Sequence, residues 1–165
     1  MIRDADPFDI PAILEITNEA IRNTTALWTL TPATLAQRQA WFAERQAAGF
    51  PVLVAARGGA VAGFASFGAF RPHEGYLHTV EHSIYVAPQA QGAGVGRALL
   101  TELLARGTTL GKHAMIGGIE AGNAPSLALH ARAGFVETGR LPQVGRKFDR
   151  WLDLVFMQKL LGAPS

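Results

Sequence analysis

The stretch Gln91–Gly96 has the composition of a phosphate-binding loop. It follows an apolar run of β-forming residues, Ile84–Val86, and precedes a helical pattern that begins at Arg97. Glycines let a backbone approach a ligand closely, and the first N–H groups of a helix have no partner within that helix. The positive end of the helix dipole favours an anion at the same place. The spacing predicts a site for a phosphate-bearing ligand, although a similar loop can also be a plain strand-to-helix connection.

Two common phosphate motifs do not fit this loop or the rest of the chain. The dinucleotide fingerprint G-x-G-x-x-G would need its third glycine where Arg97 or Leu99 stands. The P-loop G-x-x-x-x-G-K-[ST] would need a glycine at Arg106 and a hydroxyl residue at His113. Nicotinamide dinucleotides and P-loop nucleotide binding are therefore disfavoured.

Hydrophobic periodicity and turn signals predict seven strands and four helices in the order βααβββαβαββ. A strand–helix–strand unit in the middle requires parallel pairing, whereas the Gly58-Gly59 hairpin and the last two strands require antiparallel pairing. We therefore predict an α/β fold with a mixed, mostly antiparallel sheet of about seven strands and helices on both faces. The expected strands are Ile2–Ala5, Val52–Ala56, Ala60–Phe67, Leu77–Val86, Ala114–Ile119, Phe135–Leu141 and Arg150–Leu160. The expected helices are Pro7–Arg22, Pro32–Ala47 after an N-cap at Thr31, Arg97–Gly107 and Pro125–Ala133, with a turn at Pro142–Phe148.

The composition limits the class of protein. The 165 residues are 48% hydrophobic and 17% charged, which predicts a single folded domain over residues 1–165. A net charge of +2 gives no basis for nucleic-acid binding. Without cysteine there is no disulfide, cysteine nucleophile or thiolate metal site, and we predict no metal. The acidic N-terminus lacks a signal-peptide core and no apolar run reaches membrane-spanning length, so we expect a cytoplasmic protein without membrane contact.

Two motifs in the second half of the chain resemble those of one enzyme superfamily. Gln91-x-x-Gly94-x-Gly96 resembles motif A, Q/R-x-x-G-x-G/A, of the Gcn5-related N-acetyltransferases (GNAT). One strand later, the run from Asn123 to Phe135, with Ser126, Leu129, His130 and Gly134 at the expected spacing, resembles motif B. The order of elements also resembles that superfamily. Two motifs in the right order are much more specific than either one alone.

Within the superfamily, the chain is most similar to the phosphinothricin and methionine sulfoximine acetyltransferases. The resemblance covers nearly the whole chain and is strongest after Phe67, in the segments Thr79–Val86, Gly118–Glu120, Pro142–Gly145, Lys147-Phe148 and Trp151–Gln158.

The resemblance implies acetyl-CoA as co-substrate. A backbone N–H before the glycine loop, at Val86, would hold the thioester carbonyl oxygen. Asn123 would bind the pantetheine arm, and Arg97 and Arg132 could contact phosphates or be solvated cations of their helices. The predicted cofactor contacts are Ile84, Tyr85, Val86, Gln91, Gly92, Ala93, Gly94, Val95, Gly96, Arg97, Asn123 and Arg132.

Two side chains are candidates for proton transfer. Glu81 lies in an apolar-leaning strand, where partial burial would raise its pKa and let it act as a base. It could instead be paired with His78, His82 or an arginine, or bind the substrate ammonium. His130 stands in motif B where many members carry tyrosine, and it could protonate the leaving thiolate or simply pack. Strand alternation places His82 on the face opposite Glu81, so we do not expect both in one site.

The acceptor site is expected in the loop that contains Arg71, Glu74, Gly75 and Tyr76. Arg71 could hold a substrate carboxylate and Tyr76 could wall the pocket, with help from the region of Trp28 and from Lys147.

The sequence leaves three functional hypotheses. The first is direct acetyl transfer, in a ternary complex, to the α-amino group of a small amino-acid analogue such as phosphinothricin or methionine sulfoximine. The second is acetylation of another amine, namely a polyamine, a drug or a protein N-terminus. The third is a non-catalytic acyl-CoA-binding module, against which the presence of both Glu81 and His130 argues. A homodimer, with the apolar strand Trp151–Leu160 as a possible participant, is expected from the resemblance.

Overall fold

The computed structural model describes residues 1–162, which form one seven-stranded sheet in the order β1-β2-β3-β4-β5-β7-β6. All neighbouring strands pair antiparallel except β4 and β5, which are parallel. The predicted fold class is therefore confirmed. The strands are β1 (Ile2–Asp4), β2 (Val52–Arg57), β3 (Ala60–Ala69), β4 (Thr79–Val86), β5 (Ala114–Glu120), β6 (Val136–Lys147) and β7 (Arg150–Leu160).

Four helices cover the two faces of the sheet: α1 (Ile10–Asn23), α2 (Leu35–Ala47), α3 (Val95–Thr109) and α4 (Ala124–Arg132). On β3, the ring of Phe64 meets Trp41 of α2, whereas its neighbour Gly63 faces Val95 and Leu99 of α3. Because side chains alternate along a strand, α2 and α3 lie on opposite faces of the sheet. Within residues 1–162, no helix is both long and apolar enough to cross a membrane.

The strands β4 and β5 separate before they end. Their parallel pairing runs from Thr79↔Ala114 to His82↔Gly117, but β4 continues to Val86 and β5 to Glu120. Beyond the last pair, a gap lies between the two strands, and their backbone N–H and C=O groups do not pair across it. This gap positions the candidate site.

Helix α2 begins three residues later than the sequence pattern predicted. Its N-cap is Thr34, not Thr31, because Thr34 and Gln37 form a reciprocal capping box. The Thr34 hydroxyl accepts from the Gln37 N–H at 3.2 Å, and the Gln37 side-chain oxygen accepts from the Thr34 N–H at 2.9 Å. This satisfies two backbone donors at the helix end, which the Thr31-Pro32 pair would not do.

The predicted turn at Pro142–Phe148 is also wrong. β6 continues through this segment to Lys147, with an irregularity in pairing between Leu141 and Gly145. Proline is tolerated there because β6 is an edge strand, and the Gln143 N–H is bound by an Asp153 carboxylate oxygen at 2.8 Å. The actual turn is shorter and consists of Phe148 and Asp149, both at positive φ.

Candidate active site

The gap between β4 and β5 opens into a cleft of about 880 Å³. Its walls come from the ends of β4 and β5, the N-terminus of α3, one side of α4, and Ile16, Glu19 and Ala20 of α1. The volume falls within the range of about 300–1,000 Å³ that is usual for small-molecule sites.

The glycine loop gives this cleft a row of free backbone donors. Gly92 and Gly94 have φ of 75° and 81°, a conformation that favours glycine, and a Cβ at either position would meet nothing within 4 Å. Gly94 is the N-cap of α3 and provides no side-chain cap. The first N–H groups of α3 are therefore available to an anion, with the helix dipole aligned toward it. These residues fit a phosphate-bearing ligand such as coenzyme A.

The edge of β4 that faces the gap supplies further donors. The Ala87 N–H donates to the Ala62 carbonyl on β3 at 2.9 Å. Backbone groups of successive residues point to alternate sides of a strand, so the N–H of Val86 points away from β3 and toward the gap. The predicted oxyanion donor thus lies on the open edge of β4.

Most of the predicted cofactor residues line the cleft, but Ala93 is not among its lining residues. Tyr85 differs from its neighbours, since its ring packs against Phe64 on the α2 face with centroids 5.4 Å apart. Burial raises the pKa of Tyr85 to about 12, with Arg38 acting in the opposite direction. The lining set is Ile84, Tyr85, Val86, Gln91, Gly92, Gly94, Val95, Gly96, Arg97, Asn123 and Arg132.

Asn123 begins α4 as predicted. Its side-chain oxygen accepts from the Ser126 N–H at 3.2 Å, so this oxygen caps the helix. The side-chain NH₂ group remains for a ligand. Arg132 lines the cleft from the last turn of the same helix.

His130 is 4% exposed, and both of its ring nitrogens are occupied. Nδ1 lies 2.7 Å from the Ser126 carbonyl oxygen, and Nε2 lies 2.8 Å from Nε2 of His82. Burial lowers the pKa of His130, while the Ser126 carbonyl acts in the opposite direction. Protonation of a thiolate by His130 stays a prediction, because the ring would first have to release one of these contacts.

Glu81 lies on the other face of the sheet, as strand alternation predicted. A Cβ at Gly118 would be 3.9 Å from a Glu81 carboxylate oxygen, whereas a Cβ at Gly117 would face the His82 ring. Burial raises the pKa of Glu81, and the positive charge of Arg71 partly offsets that rise. The carboxylate borders Gly118, which lines the cleft, but Glu81 itself is not among the lining residues.

The predicted acceptor loop forms an aromatic surface near Glu81. The guanidinium of Arg71 stacks 4.1 Å from the centroid of Phe70 and donates to the Phe70 carbonyl at 2.8 Å. Tyr76 packs edge-on against the same ring at 5.8 Å and is 42% exposed. Glu74 and Gly75 are exposed in a short 3-10 turn, and none of these four predicted acceptor residues lines the large cleft.

Lys147 does not point toward an acceptor, which corrects its predicted role. It is buried, and its ammonium donates to the carbonyl oxygens of Thr24 and Leu27, both at 2.6 Å. The ring of Trp28 occupies the space beside Gly145 where a side chain would otherwise be. Lys147 and Gly145 therefore attach the α1–α2 connection to β6.

The chain also contains site residues that sequence reasoning did not select. His82 was placed apart from the site, yet it lines the cleft and contacts His130. Glu19 and Glu120 add two carboxylates to the cleft wall, and Thr25 of the α1–α2 connection donates to Glu120 at 3.4 Å. Strand alternation could assign His82 a face, but no sequence signal indicated which helix covers that face.

Comparison with known proteins gives consistent results over most of the chain. The Acetyltransferase (GNAT) family profile matches residues 13–135. An L-methionine sulfoximine/L-methionine sulfone acetyltransferase of Pseudomonas aeruginosa is 53% identical over 158 residues, covering 95% of this chain and 92% of that protein. A phosphinothricin N-acetyltransferase of Alcaligenes faecalis is 42% identical over 156 residues, covering 94% of this chain and 79% of that protein.

Solved structures of other acetyltransferases match the fold of this chain. An acetyltransferase from Salmonella typhimurium with its cofactor acetyl-CoA has a TM-score of 0.97 and 48% identity, over 100% of this chain and 95% of that one. A ribosomal-protein-alanine N-acetyltransferase from Brucella melitensis has a TM-score of 0.95 and 53% identity, over 97% and 99%. The separated strands, the uncapped α3 N-terminus and these matches lead to one conclusion: the chain belongs to the GNAT acetyltransferase family.

Proposed function

We propose that this protein transfers an acetyl group from acetyl-CoA to the α-amino group of a small amino-acid analogue of the methionine sulfoximine or phosphinothricin type. The observation that carries the proposal is the cleft between β4 and β5, which ends at the uncapped N-terminus of α3. The acceptor class is supported by the names of the Pseudomonas aeruginosa and Alcaligenes faecalis relatives.

In this proposal the residues around the cleft bind and orient the cofactor, which supplies an activated acetyl thioester. The loop Gln91–Gly96 and the first turn of α3 hold the pyrophosphate, since free N–H groups and the helix dipole both favour an anion there. Arg97 and Arg132 add positive charge at the rim. The Asn123 side-chain amide donates to the pantetheine arm.

Two groups would assist the chemical step. The Val86 N–H stabilises negative charge on the carbonyl oxygen as the amine nitrogen attacks, forming the C–N bond while the C–S bond breaks. Glu81 accepts the proton that the amine loses, directly or through water, and its raised pKa strengthens it as a base. The chain has no cysteine to carry the acetyl group, which favours direct transfer.

The acceptor would approach from the face of the sheet that α2 covers, where Glu81 lies. Arg71 is the proposed partner of the acceptor carboxylate, and its positive charge lowers the pKa of Glu81 against the effect of burial. Phe70 and Tyr76 would form the apolar wall. An amino acid placed there would have its carboxylate near Arg71 and its amine near Glu81.

The test is release of free thiol from acetyl-CoA with a panel of amines. Methionine sulfoximine, methionine sulfone and phosphinothricin should be turned over, and spermidine should not. Glu81→Gln should lose activity, whereas Glu137→Gln, which removes an exposed carboxylate paired with Arg140, should keep it. Tight acetyl-CoA binding with no turnover of any amine would leave only a non-catalytic acyl-CoA-binding module.

A peptide N-terminus is the second candidate acceptor. The Brucella melitensis structure is named for ribosomal-protein alanine and shares 53% identity with this chain. A short peptide that begins with alanine therefore belongs in the amine panel. A kcat/KM for this peptide above that of methionine sulfoximine would favour the second candidate.

We also infer a cytoplasmic homodimer. Six large apolar side chains are exposed on β6, β7 and their turn: Val136, Leu141, Val144, Phe148, Trp151 and Leu160. Exposed apolar groups concentrated on one edge of a sheet are typical of contact surfaces. Light scattering coupled to size-exclusion chromatography would give the mass in solution, and cell fractionation would test the compartment.

A further inference from the structure

Two buried histidines join α4 to the point where β4 and β5 separate. His82 is 7% exposed, and its Nε2 lies 2.8 Å from Nε2 of His130 on α4. His82 also forms the last paired position of the two strands, opposite Gly117. The pair therefore connects α4, which forms one wall of the cleft, to the place where β4 and β5 separate.

Packing holds both rings in this arrangement. A Cβ at residue 117 would lie 2.7 Å from Cε1 of His82, so glycine makes room for the ring. Phe135 contacts both imidazoles, with ring centroids 5.4 Å from His82 and 5.2 Å from His130. Rotation of either ring would require its neighbours to move.

The hydrogen bonds determine how many protons the pair holds. Nδ1 of His82 lies 3.0 Å from the Ile116 carbonyl oxygen, and Nδ1 of His130 lies 2.7 Å from that of Ser126. A carbonyl oxygen only accepts, so each of these two contacts is a hydrogen bond when Nδ1 carries the proton. The Nε2–Nε2 contact needs one more, because two lone pairs would otherwise face each other. A full set of hydrogen bonds for the pair therefore requires three protons, one more than two neutral rings hold.

Burial prevents a fourth proton. Desolvation lowers the pKa of His82 to about 3, and the charge of His130 adds a smaller effect in the same direction. The hydrogen bond to the Ile116 carbonyl acts in the opposite direction. Within residues 1–162, neither ring is hydrogen-bonded to a carboxylate, a lysine or an arginine. β5 presents the Ile116 carbonyl to His82, and α4 presents the carbonyl and hydroxyl of Ser126 to His130, the hydroxyl at 3.5 Å from Nδ1. Phe135 packs against both rings. Each histidine is thus the titratable group that faces the other, and the two titrate as one unit.

We propose that His82 is a positioning residue for acetyl transfer: it shares one proton with His130 and so holds α4 at the distance from β4 that coenzyme A binding needs. α4 carries Asn123 at its N-cap, and its Leu129 lies 3.4 Å from where a Cβ of Gly96 would be. A displacement of α4 would move both groups relative to the phosphate loop. The inference rests on the proposed cofactor.

The protonation pattern can be measured on the unaltered protein with ¹⁵N-labelled histidine. NMR should show a proton on Nδ1 of both buried rings. The Nε2 signals of His82 and His130 should shift together, with one common midpoint, as pH is changed. Separate midpoints, or an unprotonated Nδ1 in either ring, would overturn the shared proton.

The positioning role is tested by direct calorimetric binding of acetyl-CoA, without an acceptor. His82→Leu removes the bond to His130 and should weaken binding about tenfold, the equivalent of one hydrogen bond. His82→Gln can present an amide N–H at the place of Nε2 and should stay within about twofold of the unaltered protein, a loss below the value of one hydrogen bond. His113→Leu, at an exposed position, is the matched control and should bind normally.

Equal acetyl-CoA affinity in folded His82→Leu and the unaltered protein would refute the positioning role. If His82→Leu does not fold, the His82→Gln affinity and the NMR titration still decide. Failure of the unaltered protein to bind acetyl-CoA would instead refute the proposed function, while the NMR result for the histidine pair would stand.

Discussion

Replacing Gly117 with alanine tests how strictly the histidine pair depends on its surroundings. The new methyl group would lie 2.7 Å from Cε1 and 3.4 Å from Nε2 of His82, and 3.6 Å from Nε2 of His130. The His82 ring is bonded at both nitrogens, so it cannot move away without losing hydrogen bonds. Gly117→Ala should therefore destabilise the fold.

The magnitude follows from the contacts that would be lost. Two hydrogen bonds of His82, at about 0.5–1.5 kcal/mol each, amount to about 1–3 kcal/mol. The lower entropy of an unfolded chain with alanine returns about 0.4–1 kcal/mol. Taking the middle of each range, the net loss of unfolding free energy should be about 1.3 kcal/mol. At about 2–4 °C per kcal/mol for a chain of this size, Tm should fall by about 3–5 °C.

The adjacent residue provides a matched control. A Cβ at Gly118 points to the other face and meets Leu154 at 3.4 Å and Glu81 at 3.9 Å, which are ordinary contacts. Gly118→Ala should lie between neutral and about 1 kcal/mol more stable. Urea denaturation of both variants gives the comparison. Equal stability of Gly117→Ala and Gly118→Ala would show that the His82 ring is not held as described.

Three further predictions concern charged groups. Glu81→Gln should lower kcat/KM by about 10²–10⁴-fold. Burial raises the pKa of Glu81, so the activity of the unaltered protein should fall on acidification at a higher pH than it would for a glutamate with the ordinary pKa of about 4.3. Lys147→Met leaves two carbonyl oxygens unpaired and should cost about 1–3 kcal/mol in denaturation, and an unchanged midpoint would contradict its structural role. A folded pair that holds one shared proton resists a second because burial lowers the pKa of His82 to about 3, so the unfolded chain binds more protons than the folded one below about pH 6.5, and stability is lost as pH falls from there toward about 3. If one proton is shared, the folded pair lacks one proton relative to the unfolded chain, and a His82→Gln/His130→Gln double variant should reduce that loss by about 1.4 kcal/mol per pH unit. A reduction of about 2.7 kcal/mol per pH unit would mean that the folded pair holds no extra proton.

Local rules were reliable where a feature depends on residues a few positions apart. The Asn123 cap of α4 and the opposite faces of Glu81 and His82 follow from helical and strand geometry over one to three residues. The start of α2 differs from the prediction although its sequence signal is local: Thr34-x-x-Gln37 forms a capping box, which satisfies more backbone donors than the Thr31-Pro32 pair would.

Features that depend on strand order were less predictable. β6 runs through Pro142 because it is an edge strand, a property decided by the order of the whole sheet. Lys147 turns inward because carbonyl oxygens of the α1–α2 connection, more than a hundred residues away, need donors there. Neither fact has a local sequence signature.

The sequence by itself determined the order of elements, the glycine loop, the family resemblance and the residues able to donate or accept protons. Those conclusions rest on composition and short-range spacing. Only the tertiary structure decided that β4 and β5 part after His82, and that His82 meets His130 across 48 residues of chain. The physical reason is that a helix can cover either face of a sheet, and packing of α4 against Gly117 and Phe135 selects which histidines touch.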